Sequence, residues 1–328
     1  MEALLKEKIR KVIREASSIA IAGHVRPDGD CVGSCLALYN YLTAAGREED
    51  LRTVDLYLED IPEDFRFLMG SDQILHQPKD VRYDLFIALD CGSADRLGAF
   101  LPVMRNTKST LCIDHHVSNT HFTAVSLIDP GASSTCEILF EIMDYDRIDQ
   151  KTAECLYLGI AHDTGVFKHS CTTRRTMEIA GALIEKGVPF SRIIDETFYQ
   201  KTYLQNQIMG RCLLESIMVL NGKVIVSSIS RKTQEFYGAC PADLDGVVDQ
   251  LRVTRGVEAA ILIREEETQT YKVSMRSNGI VNVSRIAVYF GGGGHVQAAG
   301  CTMEGSLYDV INNLLLHIES QLKAAEQV

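Results

Sequence analysis

The sequence predicts an α/β protein of two domains: a mostly parallel sheet with helices on both faces, then a smaller C-terminal α+β domain. Two observations lead to this prediction. In the first half, short apolar runs of strand length alternate with longer segments whose apolar residues recur at helical spacing. That alternation is typical of a parallel sheet covered by helices. After about residue 220, alternating runs rich in β-branched residues indicate a second sheet.

The strands and helices of the first half follow one another along the chain. A buried strand is expected at Ser17–Gly23 and a helix at Cys31–Gly46, where the glycine marks the helix end. The next strands are predicted in TVDLYLE, YDLFIALD and STLCIDHH. Further helices are predicted in SSTCEILFEIMD, KTAECLYLGIAHDTG and TRRTMEIAGALIEKG. In a sheet of such β-α-β units, the site lies outside the carboxyl ends of the strands.

The second half is expected to form its own domain. Strands are predicted in GKVIVSSIS, VEAAILIREEE and TYKVSMRS, the last two joined by a polar turn, and an amphipathic helix follows in SLYDVINNLLLHIESQL. The predicted boundaries are 1–190 for the parallel-sheet domain, 191–215 for a helical linker and 216–328 for the α+β domain.

The composition argues against several classes of protein. Hydrophobic residues make up 46% of the 328 residues and charged residues 23%, as in ordinary globular proteins. A signal-peptide pattern and a long apolar run are both lacking, so a cytoplasmic protein without membrane contact is expected. The net charge of −11 argues against binding of long DNA or RNA and favours short substrates in a local pocket. Most of the ten cysteines, which include no C-x-x-C pair, are predicted to be small buried hydrophobes.

Residues that commonly bind metal ions follow several of the predicted strands and helices. An aspartate at a strand end is most often a helix cap or turn residue, and an isolated histidine pair is usually a surface feature. A whole set of such residues, each ending its own apolar run, indicates a metal site instead, since the carboxyl ends of parallel strands meet at one edge of the sheet. The set comprises His24, Asp28, Asp30, Asp90, Asp114, His115, His116 and Asp163.

The types of these residues indicate which metal they would bind. Mixed carboxylate and imidazole ligands suit manganese, with Mg²⁺ or Co²⁺ as alternatives. Two divalent ions that act together share a bridging carboxylate and keep open positions for water and phosphate. A zinc–thiolate site is disfavoured, because Cys31 and Cys91 lie beside the ligands without the spacing of a thiolate motif.

A second group of candidate residues lies in the C-terminal domain. Arg276 and Ser277 end a predicted strand, and the run Gly291–His295 follows a short predicted helix. Consecutive glycines allow backbone N–H groups to approach a phosphate, and arginine and histidine add charge-assisted donors. A flexible loop is the alternative interpretation of a glycine run. The predicted substrate-binding residues are Arg276, Ser277, Gly292, Gly293, Gly294 and His295.

These motifs together resemble those of a known family. GHVRPDGDCVGS, ALDCG, IDHH and AHDTG resemble the four motifs of the DHH phosphoesterases, which are named for the tripeptide at Asp114. GGGGH, with MRSNG upstream, resembles the signature of the C-terminal domain that accompanies them. The order and spacing of the motifs cover nearly the whole chain.

The resemblance implies a role for each candidate residue. One metal ion would be held by His24, Asp28 and Asp90, and a second by Asp30, Asp90, His115 and Asp163, with Asp90 bridging. His116 would face the scissile phosphate as a hydrogen-bond donor or general acid. Asp114 would orient the histidines. Gly29 is expected to let the backbone curl so that Asp28 and Asp30 face different ions.

The resemblance also implies a substrate class. The expected activity is two-metal, Mn²⁺-dependent hydrolysis of short oligoribonucleotides (nanoRNA) to mononucleotides, of 3′-phosphoadenosine 5′-phosphate (pAp) to AMP, and of linear dinucleotides such as pApA. The active site is expected in the cleft between the domains, and the protein is expected to form a homodimer.

Several alternatives stay open. A stand-alone cyclic-dinucleotide phosphodiesterase would use the same metals. An exonuclease of the RecJ type would need further nucleic-acid-binding modules, and GGGGH argues against an inorganic pyrophosphatase. A non-catalytic nucleotide-binding regulator would be expected to lack some of the ligands, and every one is present.

Overall fold

The structure, a computed structural model, describes residues 2–44 and 52–325, which form two compact units, 1–200 and 201–328. Gly46, the predicted end of the second helix, lies outside the described residues. The segment 191–215, predicted as a linker, is divided between the units. Its first part belongs to unit 1, and a helix over Tyr203–Leu214 packs on the sheet of unit 2.

Unit 1 is a parallel sheet with helices packed against it. Its described strands are β1 (Ser18–Ala22), β2 (Thr53–Tyr57), β3 (Ile74–Leu75), β4 (Leu85–Leu89), β5 (Ser109–Asp114) and β6 (Val125–Ile128). Its described helices are α1 (Glu2–Glu15), α2 (Gly29–Thr43), α3 (Leu101–Arg105), α4 (Thr135–Ile142), α5 (Gln150–Asp163), α6 (Arg174–Glu185) and α7 (Phe190–Ile194).

The strand order explains where a site can form. The order is β3-β2-β1-β4-β5-β6, and every neighbouring pair is parallel. The chain builds the sheet outward in one direction from β1 and in the other from β4. A crevice therefore opens beyond the carboxyl ends of these two strands, where the connections leave in opposite directions. The predicted parallel α/β sheet is confirmed.

The two faces of this sheet are covered unequally. Ile19 and Ile21 of β1 pack into a large core with α2, α4 and α5. Ala20 and Ala22, which point to the other face, lie under Phe100 and its neighbours in a 3₁₀ segment and the short helix α3. The prediction of helices on both faces is confirmed, although the second face is covered by only short helical elements.

Glycines let α2 and α5 approach each other closely. A Cβ atom on Gly33 would lie 2.6 Å from the carbonyl oxygen of Cys155. A Cβ atom on Gly159 would lie 2.7 Å from Oδ1 of Asp30 and would overlap the sulfur of Cys136. Both distances are below ordinary van der Waals contact, so the two backbones meet where no side chain fits. This contact places the start of α2 beside the end of α5.

Unit 2 contains a mixed sheet. Its described elements are α8 (Tyr203–Leu214), β7 (Ile217–Val219), β8 (Val224–Ile229), α9 (Arg231–Tyr237), α10 (Val247–Arg252), β9 (Ala259–Glu267), β10 (Thr270–Ser277), α11 (Val283–Tyr289), β11 (Gly293–His295), β12 (Ala298–Glu304) and α12 (Leu307–Ala325). The strand order is β11-β12-β10-β9-β8-β7, with β8 and β9 parallel and the other pairs antiparallel. Helices α11 and α12 cover one face, and α8 and α10 part of the other.

Two further expectations bear on the molecule as a whole. Within residues 2–44 and 52–325, no helix combines the length and the apolar character that crossing a bilayer requires. All ten cysteines are free thiols, and only Cys171 and Cys240 are exposed. The prediction that most cysteines are buried hydrophobes is confirmed.

Candidate metal centre

His24 lies in the loop between β1 and α2 and is only 4% exposed. Its Nε2 lies 3.6 Å from Oδ2 of Asp28 and 3.5 Å from Oδ2 of Asp90. Its Nδ1 lies 2.9 Å from the carbonyl oxygen of Val25, an arrangement in which Nδ1–H donates and Nε2 faces the two carboxylates. Burial lowers the pKa of His24, but the two carboxylates outweigh burial and raise it.

Asp28 is the N-cap of α2, where its Oδ1 accepts a hydrogen bond from the Cys31 N–H at 3.1 Å. Burial raises the pKa of Asp28, but the bonds to His24 and Cys31 outweigh it, and the pKa falls to about 2. The predicted reason for Gly29 is wrong. Gly29 begins α2 in an ordinary helical turn, and a Cβ atom there would overlap the His162 ring. The glycine is needed for this close approach of α5 to the ligand loop.

Asp30, in the first turn of α2, is fully buried. Its Oδ2 accepts from the Thr135 N–H at 2.6 Å and its Oδ1 from the Cys136 N–H at 3.0 Å. These donors are the first free amides of α4, so the carboxylate lies at the positive end of that helix dipole. Burial raises the pKa of Asp30, and the negative charges of Asp90 and Asp163 raise it further.

Asp90, directly after β4, lies at the centre of the cluster and is 2% exposed. Its Oδ1 lies 3.5 Å from Nε2 of His115 and 3.5 Å from Nδ1 of His116, whereas its Oδ2 faces His24. Its backbone has a φ of 51°, in the left-handed region that non-glycine residues rarely adopt. The Thr135 hydroxyl donates to Oδ1 at 3.1 Å. The two carboxylate oxygens thus point to different sets of histidines.

The tripeptide Asp114-His115-His116 begins at Asp114, the last residue of β5. Asp114 is fully buried; its Oδ1 lies 2.7 Å from Nδ1 of His116, and its Oδ2 accepts from the Asn119 amide at 2.6 Å. Burial raises the pKa of Asp114, but the bonds to His116 and Asn119 outweigh it and lower the pKa. The side chain of His116 is 42% exposed, whereas that of His115 is 19% exposed and contacts Oδ2 of Asp163 at 3.0 Å.

In the described part of the chain, the carboxylates of the cluster are paired with histidines and not with lysine or arginine. Within residues 2–44 and 52–325, no lysine or arginine forms an ion pair with Asp30, Asp90 or Asp163. Burial raises the pKa of Asp163, and the nearby charge of Asp90 adds to this rise. Burial lowers the pKa of His115, but Asp163 and the other carboxylates outweigh it and raise the pKa to about 10.

Donor atoms come close enough to bind metal ions in three groups. The nitrogen, oxygen or sulfur atoms of each group lie within 4.8 Å of one another. Buried carboxylates need nearby positive charge, and oxygen and imidazole donors suit a divalent cation such as Mn²⁺. Burial raises the pKa of Cys31, which disfavours the thiolate form that binds metals. The groups are His24-Cys31-Asp90, Asp90-His115-His116 and Asp30-His115-Asp163.

In unit 2, the strand register brings Arg276 and His295 into one row. Both residues pair with Ala298, Arg276 from β10 and His295 from β11. Directly opposed residues share a face of the sheet, so the two side chains lie two strand spacings apart, roughly 10 Å at the backbone. Arg276 also donates from Nε to Oδ1 of Asp249 on α10 at 3.0 Å, and His295 is exposed.

The glycine run is not a loop along its whole length. The amides of Gly291 and Gly292 donate to the carbonyl oxygens of Val288 and Ala287, which closes the end of α11. The Gly292 amide is therefore already engaged within the chain at 2.7 Å. Gly293 and Gly294 belong to the edge strand β11, where a Cβ atom on Gly294 would lie 2.5 Å from the carbonyl oxygen of Ala298.

Ser277 differs from its predicted neighbours in exposure. It is only 2% exposed, and its hydroxyl has no hydrogen-bond partner among the described residues. Its backbone N–H donates to the carbonyl oxygen of Gln297 at 2.9 Å. The structure therefore places Ser277 beneath the surface on which Arg276 lies.

Sequence reasoning missed two residues that hold the aspartates. Thr135 donates to both Asp30 and Asp90, and Asn119 donates to Asp114. The sequence signal for Asn119 was weak, because a polar residue after a strand is an ordinary turn residue. Thr135 follows two serines at a predicted helix start, a pattern that indicates only a cap.

Comparison with known proteins agrees with this architecture. Residues 18–160 match the model of the DHH family, N-terminal domain, and residues 221–324 match that of the DHHA1 domain. A bifunctional oligoribonuclease and PAP phosphatase from Thermus thermophilus is 31% identical over 91% of this chain and 89% of its own length. One of the same name from Bacillus subtilis is 25% identical over 98% of this chain and all of its own.

A solved structure has the same fold. The crystal structure of an exopolyphosphatase-related protein from Bacteroides fragilis superimposes with a TM-score of 0.82 at 24% identity, covering 97% of this chain and 96% of the other. DHH phosphoesterases depend on divalent metal ions, in keeping with the donor groups described above. The chain is a hydrolase that belongs to the DHH phosphoesterase family and carries an N-terminal DHH domain followed by a DHHA1 domain.

Proposed function

We propose that the protein is a manganese-dependent phosphoesterase that hydrolyses short oligoribonucleotides to mononucleotides and pAp to AMP through two metal ions. The main observation behind this proposal is that the two carboxylate oxygens of Asp90 face different groups of histidines. One of its oxygens faces His24 and the other faces His115 and His116, as a carboxylate shared by two metal sites requires. Relatives named as oligoribonuclease and PAP phosphatase, similar along nearly the whole chain, support the substrate class.

The donor groups support a specific division of the ligands. Nε2 of His24 lies near Oδ2 of Asp28 and Oδ2 of Asp90, and these three residues would hold one ion. Asp30, His115 and Asp163 form the other group and would hold the second ion with Oδ1 of Asp90. When bound, the two ions would supply an activated water and offset the charge that develops on the phosphoryl oxygens.

The contacts of His116 support a role at the substrate. Its Nδ1 is held by Asp114, which fixes the ring and leaves Nε2 as the group that can donate outward. Its side chain is more exposed than those of the other two histidines of the cluster. We assign His116 as the hydrogen-bond donor or general acid at the scissile phosphate, and Asp114 as the residue that orients it.

Unit 2 is proposed to bind the nucleotide. Arg276 and His295 share one face of the sheet and would donate charge-assisted hydrogen bonds to a phosphate. Gly293 and Gly294 lie on the edge strand, where the absence of side chains lets a ligand approach the backbone. The overall charge of −11 favours short substrates over long ones. The homodimer and the cytoplasmic location stay predictions.

The test uses two aspartates at opposite ends of β4. Asp90→Asn removes the shared carboxylate, and we expect Mn²⁺-dependent hydrolysis of pAp to fall by on the order of 1000-fold. Asp84→Asn changes a carboxylate at the other end of the strand, paired with Lys108, and is expected to leave the rate unchanged. A wild-type rate in Asp90→Asn would refute the two-metal assignment.

A substrate panel separates the proposed activity from its alternative. Initial rates are measured on pAp, pApA, cyclic di-AMP, RNA dinucleotides and long RNA. We expect the highest kcat/KM on pAp and the shortest RNAs. A preference for cyclic di-AMP would instead identify the cyclic-dinucleotide phosphodiesterase, and efficient degradation of long RNA would contradict the proposal.

A further inference from the structure

Thr135, the first residue of α4, lies between two of the proposed metal ligands. We propose that Thr135 is a positioning residue that fixes Asp30 and Asp90 relative to each other and thereby sets the affinity of the metal centre. This inference rests on the proposed metal-dependent function, because it concerns the residues assigned there as ligands. Neither the sequence motifs nor the comparisons assign a role to this threonine.

The contacts of Thr135 connect elements that are otherwise separate in the chain. Its backbone N–H donates to Oδ2 of Asp30 at 2.6 Å, and its hydroxyl donates to Oδ1 of Asp90 at 3.1 Å. Asp30 belongs to α2 and Asp90 follows β4. Thr135 is fully buried, so no solvent competes for either bond. A single residue therefore holds both carboxylates.

The hydroxyl bond matters because the orientation of Asp90 decides which oxygen each histidine meets. A carboxylate is acceptor-only, so the Thr135 hydroxyl must direct its one proton at Oδ1. Oδ1 also faces His115 and His116, and the bond fixes this oxygen on their side while Oδ2 faces His24. Without the hydroxyl, nothing else among the described residues donates to the Asp90 carboxylate except the histidines themselves.

The start of α4 is itself held firmly. Ser134 caps the helix by accepting from the Glu137 N–H at 3.1 Å. The buried carboxylate of Glu137 accepts from the Ser133 hydroxyl at 2.6 Å and from the Thr176 hydroxyl of α6 at 2.7 Å. Thr135 is thus anchored on the side away from the ligands, which is what a positioning residue needs.

The chain offers a matched control in Thr152. Like Thr135, it is fully buried and lies in the first turn of a helix, here α5. Its hydroxyl has no hydrogen-bond partner among the described residues. Replacing either threonine with valine removes a buried hydroxyl at nearly constant shape, but only Thr135 loses a bond to a proposed ligand.

The experiment measures Mn²⁺ binding to the full-length, chelator-stripped protein by isothermal titration calorimetry. We expect Thr135→Val to weaken Mn²⁺ binding by about 10- to 100-fold, the range for loss of an outer-shell partner. Thr135→Ser, which keeps the hydroxyl, should retain most of the affinity, and Thr152→Val should match the wild type. Thermal unfolding of each metal-free variant shows whether it is folded.

The outcomes separate this inference from the proposed function. The positioning role of Thr135 would be overturned if Thr135→Val bound Mn²⁺ with wild-type affinity, or if Thr152→Val lost as much affinity as Thr135→Val. It would also be overturned if the wild-type protein bound no Mn²⁺. If Thr135→Val does not fold, Thr135→Ala and Thr135→Ser form a second pair that differs only in the hydroxyl; equal affinities in that pair would overturn it. A wild type that binds Mn²⁺ but does not hydrolyse pAp or short RNA refutes the substrate proposal alone.

Discussion

In unit 1, the carboxylates of Asp30, Asp90 and Asp114 are at most 2% exposed, and each accepts at least one hydrogen bond from a neighbouring element or loop. In unit 2, every residue from Gly291 to His295 is exposed, and Arg276 is held by one carboxylate of α10. These three carboxylates of unit 1 are buried and held by donors from neighbouring segments. The candidate site of unit 2 is an open sheet edge with few partners.

The difference in burial between the two candidate sites is consistent with what each is proposed to bind. Buried carboxylates cost free energy unless a cation and directed donors accompany them, so their positions must be set before the metal arrives. A phosphate or nucleotide that comes and goes needs an accessible surface, and charge-assisted donors there can adapt to it. Small displacements should therefore damage unit 1 more than unit 2.

The largest effect of a displacement, as opposed to the removal of a ligand, is expected from Gly159→Ala. The added Cβ atom would lie 2.7 Å from Oδ1 of Asp30 and would overlap the sulfur of Cys136, so α5 or the carboxylate must shift. We expect Mn²⁺ affinity to fall by about 100-fold and the free energy of unfolding by about 1–3 kcal/mol. Calorimetric Mn²⁺ titration and chemical denaturation measure the two quantities.

Gly181 of α6 provides the control for this change. A Cβ atom there would have no neighbour within 4 Å, so Gly181→Ala is expected to keep Mn²⁺ affinity and to gain about 0.5–1 kcal/mol in stability. If Gly159→Ala bound Mn²⁺ as tightly as Gly181→Ala, the enclosed centre would tolerate displacement, and the contrast between the two units would be lost.

A smaller and different effect is expected from Arg276→Ala. Loss of a charge-assisted donor to the substrate should raise KM for pAp by about 10-fold while Mn²⁺ affinity stays unchanged. Arg252→Ala is the matched control, because Arg252 also approaches Asp249 but lies on α10 rather than in the row with His295. An unchanged KM in Arg276→Ala, or an equal rise in Arg252→Ala, would contradict the proposed role of this row.

The candidate sites of the two units also differ in how much of each the sequence predicts. Aspartates and histidines at strand ends could be recognised, because parallel strands bring their carboxyl ends to one edge whatever the details of packing. The hydrogen-bond donors that hold those aspartates could not be recognised from the sequence. Thr135 is 45 residues from Asp90 and 105 from Asp30, and one-dimensional spacing carries no signal for such a contact.

In both units, the sequence does not reveal why a glycine is required at its position. The sequence predicts a conformational role for Gly29, whereas the structure shows that it makes room for His162, a residue on another helix. Gly293 and Gly294 form an edge strand that the sequence could not indicate, because glycine leaves no side-chain alternation from which a strand is recognised. The position of a glycine was informative, but its reason required the packed structure.

The smallest effect is expected from Ser277→Ala, and it tests whether unit 2 binds its ligand without rearrangement. The Ser277 hydroxyl is buried without a partner among the described residues, so removing it should change stability by less than about 1 kcal/mol. If the exposed sheet edge of unit 2 binds substrate without a conformational change, Ser277→Ala should change KM for pAp by less than about twofold. A rise in KM comparable to that of Arg276→Ala would mean that the hydroxyl becomes exposed to the ligand. Unit 2 would then have to reorganise on binding, whereas the buried aspartates of unit 1 are already held by hydrogen bonds from their neighbours.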